Sequence, residues 1–130
     1  MMRIAHIAIW VKDLEVMRSF YMHYFGARSN ELYHNQQKQF RSYFLSFDDG
    51  CSLEIMHRSD ILEAEKDYNK QQTGLVHFAI SVGSKSRVDE MAETFMADGF
   101  QVVGQPRLTG DGYYEAVVLD PEGNVVEITI

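Results

Sequence analysis

Two strand-length segments of this chain read almost alike. Residues 4–11 are Ile-Ala-His-Ile-Ala-Ile-Trp-Val and residues 75–82 are Leu-Val-His-Phe-Ala-Ile-Ser-Val, each with histidine in third place. Both are apolar, rich in β-formers and the right length for a strand. A helical pattern follows each. Leu14, Met17, Tyr21, Tyr24 and Phe25 recur at steps of three and four up to Gly26, and Val88, Met91, Phe95 and Met96 do so up to Gly99. Asp13 and Ser86 are the expected N-caps, and the two glycines the expected stops.

The second halves match as well. Phe47-Asp48-Asp49-Gly50-Cys51-Ser52-Leu53-Glu54-Ile55 parallels Leu119-Asp120-Pro121-Glu122-Gly123-Asn124-Val125-Val126-Glu127-Ile128, with one residue inserted. In both, a strand enters an Asp/Gly turn and a second strand returns carrying glutamate. The spacing predicts two βαβββ modules, about 1–57 and 74–130, in an α+β fold. The polar stretch 58–73 is read as a linker, either solvated or a short exposed helix.

Strand parity then assigns faces. His6 shares a face with Ile4, Ala8 and Trp10; Glu54 with Ser52, Met56 and Arg58; His77 with Leu75, Ala79 and Ser81; Glu127 with Val125 and Thr129. The opposite faces are uniformly large and apolar, which suits packing beneath the helices. The plain alternatives are a hydrogen-bonded core histidine and a solvent-facing glutamate. Each glutamate, however, lies inside a strongly apolar stretch, where a carboxylate needs a cation or hydrogen-bond donors. Two imidazoles and two carboxylates suit a borderline divalent ion. His6, Glu54, His77 and Glu127 are therefore the expected metal ligands.

Composition narrows the remaining classes. The 130 residues carry a net charge of −7, which disfavours a nucleic-acid grip. No apolar run approaches a membrane span or the core of a signal peptide, so a cytoplasmic protein is expected. Cys51 is the single cysteine, without an activating base nearby in sequence, and is read as an inert thiol. His23, His34 and His57 have no counterpart in the other module and are read as surface residues.

On His6-Ile-Ala-Ile, the segment Phe20-Tyr21 through Phe25-Gly26, His77-Phe-Ala-Ile, and Leu119-Asp120-Pro121-Glu122-Gly123-Asn124 leading to Glu127, the sequence resembles the vicinal oxygen chelate superfamily. The resemblance covers nearly the whole chain and implies paired βαβββ modules forming curved sheets around a metal. The His/Glu/His/Glu set looks most like bacterial glyoxalase I. This implies one divalent ion per site (nickel, cobalt or zinc), a small-molecule substrate and a homodimer.

The implied activity is a lyase or isomerase acting on a small carbonyl compound, such as a 2-oxoaldehyde–thiol adduct, through a metal-stabilised enediolate. Glu127, and after it Glu54, would move the proton. Acyl-CoA epimerases, ring-cleaving dioxygenases and metal-free drug-sequestering proteins are the alternatives in the same superfamily. Trp10 stands where glyoxalase I usually has arginine and Arg58 where it commonly has asparagine, both glutathione contacts in that family. Trp10 as an apolar wall, Met56, Arg58 as a grip for carboxylate or phosphate, and Tyr114 at the pocket mouth are the candidate substrate contacts.

Overall fold

A computed structural model describes all residues, 1–130. They fall into two compact units, Met1–Ala64 and Glu65–Ile130. The first contains β1 (His6–Trp10), α1 (Leu14–Phe25), β2 (Arg28–Ser29), β3 (Tyr33–Asn35), β4 (Phe40–Ser46) and β5 (Ser52–His57). The second contains β6 (His77–Ser81), α2 (Lys85–Ala97), β7 (Val102–Leu108), β8 (Tyr114–Leu119) and β9 (Val125–Thr129). The second unit is the expected βαβββ module. The first adds a short strand, because the longer segment between α1 and β4 pairs twice with β4. No helix is long and apolar enough to cross a membrane.

Each unit is a helix laid on a mixed sheet. The first sheet runs β1-β5-β4-β2, with β3 also pairing with β4, and the second β6-β9-β8-β7. β1 is parallel to β5 and β6 to β9, while β4–β5 and β8–β9 are antiparallel hairpins. The histidine-bearing strands β1 and β6 are thus the outer strands of their sheets.

Parity holds along the strands. Leu53 and Ile55 of β5, and Val126 and Ile128 of β9, are buried under the helices. Met17, Phe20 and Tyr21 of α1 belong to the first core; Val88, Met91, Ala92 and Phe95 of α2 belong to the second. Full burial of such a side chain contributes roughly 1.5–3 kcal/mol, so these stripes hold helix to sheet. Met96, placed in the apolar pattern, is instead exposed.

The helix ends follow the local chemistry with one shift. Asp13 caps α1 by accepting from the Val16 amide, and Gly26 closes it with φ 66°, a left-handed conformation natural to glycine. α2 is capped by Ser84, not Ser86. The extended Ser84 backbone aims its hydroxyl at the Arg87 amide, and Ser86 already lies inside the helix.

The stretch expected as linker forms turns without a helix and divides between the units. Lys12 pairs with Glu63 in the first. In the second, the Lys66 ammonium donates to the Glu122 carbonyl at 3.0 Å and to Asn124 Oδ1 at 2.9 Å. It thereby ties residue 66 to the turn before β9. Buried Asp120 organises that turn, accepting from the backbone amides of Glu122 and Asn124 and from the Asn124 side chain.

Candidate metal centre

The two His–Glu pairs are built by one rule. In β1 and β5, Ala8 is the register partner of Glu54 and His6 lies two positions earlier on the same face. In β6 and β9, Ala79 partners Glu127 and His77 lies two positions earlier. The small alanine leaves space beside the glutamate, and the imidazole leans across it. His6 Nε2 comes to 3.6 Å from Glu54 Oε1, and His77 Nε2 to 2.9 Å from Glu127 Oε1. In each pair the imidazole is nearly half exposed and the carboxylate largely covered.

Neither glutamate is paired with a lysine or arginine, so each largely covered carboxyl group meets only a half-open imidazole. Imidazole nitrogen with carboxylate oxygen is the donor set of zinc, nickel and cobalt sites. The residues fit such an ion in kind. They do not complete its shell within a unit, since no group of three or more His, Cys, Asp or Glu side chains converges. Within each unit the structure brings together one expected histidine and one expected glutamate.

Other expected contacts divide by face. Met56 pairs with Trp10 across β5 and β1, on the face of His6 and Glu54. The Arg58 guanidinium lies 5.3 Å from the Trp10 ring centroid. Arg58 is already engaged: Asp60 accepts from its Nε at 2.6 Å and its Nη2 at 3.1 Å. That hydrogen bond raises the Arg58 pKa and holds the Asp60 carboxyl below its ordinary value. Tyr114 is placed elsewhere. Its register partner is Leu108, and its hydroxyl donates to Asp89 of α2 while the Lys85 ammonium sits 4.6 Å from its ring centroid. It therefore faces the helix, opposite to Glu127.

The neighbouring Glu115, absent from the sequence-based expectations, occupies the other face. It pairs with Arg107 on one side and Thr129 on the other, one row from Glu127. Burial, and next the charge of Glu127, raise its pKa, while Arg107 and His77 oppose the shift. The available signal was parity: within 114–119, Glu115 and Val117 alternate with Tyr114, Ala116 and Val118.

Of the remaining histidines, His23 and His34 are exposed as expected. His57 is half-buried, with Nδ1 2.9 Å from the Val11 carbonyl oxygen, and so joins the ends of β5 and β1. Cys51 is a free, partly covered thiol.

This duplicated arrangement has clear relatives. Residues 3–128 match the family model described as the glyoxalase/bleomycin resistance protein/dioxygenase superfamily. The chain belongs to this superfamily. It is 31% identical over 126 residues to the uncharacterized protein YqjT of Bacillus subtilis (strain 168), covering 95% of this chain and 94% of that protein. The trypanothione-dependent glyoxalase I of Leishmania major matches 99% of this chain and 86% of its own, with a TM-score of 0.78 at 20% identity. Glyoxalase I of Zea mays matches 98% of this chain with a TM-score of 0.75 at 22% identity. This chain spans only 44% of the length of that maize protein. At such identities the two solved structures show a shared fold.

Proposed function

We propose that this superfamily member is a metal-dependent lyase or isomerase of the glyoxalase I type, acting on a small carbonyl compound such as a 2-oxoaldehyde–thiol adduct. The observation that carries the reading is the presence of one His–Glu pair in each unit, at matching register, although the surrounding residues differ.

His6, Glu54, His77 and Glu127 would together hold one divalent nickel, cobalt or zinc ion. Each pair offers two donors, so the two pairs together supply a four-ligand shell. A bound ion would supply a Lewis acid that offsets the negative charge developing on a substrate oxygen as the neighbouring C–H bond loses its proton. Glu127 is assigned the proton transfer, with Glu54 second. A carboxylate near an exposed imidazole has the acceptor oxygens the step requires. The histidines orient and hold; they do not carry the proton. Trp10 and Met56 border the first pair and are assigned to the substrate.

A homodimer is part of this proposal. β1 and β6 each present an outer edge, and outer edges in stable proteins are normally covered. The single cysteine suits a reducing compartment such as the cytoplasm.

The deciding experiment is metal analysis of purified protein, followed by turnover of an alkyl and an aryl 2-oxoaldehyde (methylglyoxal and phenylglyoxal) with a panel of thiols before and after chelation. Metal bound at one ion per four-ligand site, with activity lost on chelation and restored on its return, is the expected result. Protein that holds no metal and melts identically with and without chelator overturns the proposal.

A further inference from the structure

The two units keep the same ligand pair on very different floors. In the first, the row beside Ala8 and Glu54 ends in Phe44, and the next row is Trp10, Met56 and Ser42. In the second, the corresponding rows are Ala79, Glu127 and Val117, then Ser81, Thr129 and Glu115. One floor became aromatic and the other polar.

The aromatic floor starts at the ligand pair. Phe44 meets the His6 ring edge-to-face, with centroids 5.3 Å apart. Further along the same face, Phe40 makes edge-to-face contacts with both Trp10 and Tyr33, at 6.1 Å each. Trp10, Tyr33 and Phe44 remain 39%, 53% and 36% exposed. Perpendicular rings left open in this way offer faces and edges to a further flat ring, the arrangement aromatic groups favour. Ligand sites are lined mainly by apolar and aromatic side chains of this kind.

Charge selects among the ligands this floor could take. The cation beside it is Arg58, and Asp60 already accepts two of its hydrogen bonds. The pair is balanced, so it offers an anion no net attraction. A ligand carboxylate would also approach the carboxylates of Asp60 and Glu54. An uncharged ring meets neither penalty, and the planar guanidinium over Trp10 extends the flat rim on which it can stack.

We propose that this face is a subsite for an uncharged planar aromatic group, so that the substrate is an aryl rather than a small alkyl carbonyl compound. The carbonyl assignment rests on the function proposed above; recognition of the ring does not, since it uses only Trp10, Tyr33, Phe40 and Phe44.

The test uses chelator-treated full-length protein and needs no turnover. Trp10 is the only tryptophan, so its fluorescence reports on the site directly. The probes are benzamide, its saturated counterpart cyclohexanecarboxamide, and benzoate. Benzamide is expected to change Trp10 emission saturably and to bind at least about tenfold tighter than either other probe. Phe40→Leu, which keeps apolar bulk, should weaken benzamide about tenfold by ligand-observed NMR while leaving the far-ultraviolet circular dichroism unchanged. Tyr33→Leu should act in the same direction.

Equal binding of the saturated amide, tightest binding of benzoate, or an unchanged benzamide affinity in Phe40→Leu overturns the subsite. So does emission that is already buried and indifferent to benzamide because a second copy of the chain covers these rings. Metal analysis reports separately: benzamide binding without metal uptake removes the lyase and keeps the subsite, and the converse removes the subsite alone.

Discussion

His77 stands 2.9 Å from Glu127 through the same diagonal register that sets His6 3.6 Å from Glu54. Parallel pairing fixes both. A one-residue slip of β9 against β6 would carry Glu127 to the helix side, where Val126 and Ile128 are fully buried. The apolar core thus enforces the position of the polar pair, and the site follows from hydrophobic packing on the opposite face.

The first prediction concerns the ion. His77→Ala or Glu54→Gln removes one donor of four, and the loss of metal affinity should exceed the ~10–100-fold typical of losing an outer-shell partner. Metal content after gel filtration against a weak chelator measures it. Wild-type stoichiometry in both variants would contradict the assignment.

The second concerns the thiol. Trp10 is packed against Phe40 and lies under Arg58, and Arg58 is engaged by Asp60. Neither resembles a free polar contact for a peptide thiol. The glutathione adduct of methylglyoxal should therefore be a poor substrate, well under ~10⁴ M⁻¹s⁻¹ in kcat/KM. Faster formation of lactoylglutathione would overturn this expectation.

Much of this arrangement was legible in the sequence because duplication supplies its own control. His6 and His77 recur 71 residues apart and Glu54 and Glu127 73 apart, which revealed both modules and both pairs. Strand parity then gave the faces. Tyr114, expected at the pocket mouth, instead follows the parity that groups it with buried Ala116 and Val118. Ser84 and Ser86 can both cap, and only backbone conformation, extended at Ser84, distinguishes them. The engagement of Arg58 by Asp60 depends on a turn after β5, beyond the reach of strand alternation.

A third prediction tests what holds helix to sheet. The Tyr43 hydroxyl donates to Glu15 of α1, and the Arg18 guanidinium lies 4.7 Å from the Tyr43 ring centroid. The tyrosine is buried, and its bond to Glu15 is the leading cause of its raised pKa. Tyr43→Phe should lower stability by about 1 kcal/mol, the net worth of one such bond. Urea unfolding measures it, and metal uptake should be unchanged because Tyr43 faces away from Glu54. An unaltered midpoint would show that the bond contributes nothing.

The fourth follows from Glu115, whose pKa is raised first by burial and then by Glu127. A carboxyl raised in the folded state keeps its proton over a pH window in which the unfolded chain has lost it. Its contribution is fully present below the unfolded value, about 4.3 for glutamate, and is lost as pH rises through the folded value. In metal-free protein, Glu115→Gln should remove this component and flatten the fall in melting temperature just above that pH. Parallel curves for wild type and variant would refute it.

The last prediction concerns assembly. Each unit carries one His–Glu pair, and the proposed four-donor shell combines one pair of each kind, from one chain or from two. A homodimer that exchanges pairs would hold two sites, each combining His6 and Glu54 of one protomer with the second pair of the other. Mixing inactive His6→Ala and Glu127→Gln proteins separates the arrangements. Under exchange, the mixed dimer collects both defects in one site and leaves the other intact, so metal uptake and activity return in part. Without exchange, each chain keeps its own defect and mixing restores neither. Exchange is the expected outcome, because it gives the outer strands β1 and β6 a partner while completing the shell. Dissociation should then release metal, and dilution followed by light scattering and metal analysis should show both losses at one protein concentration. A protein that remains monomeric at working concentration yet binds metal fully would place both pairs of a site in one chain.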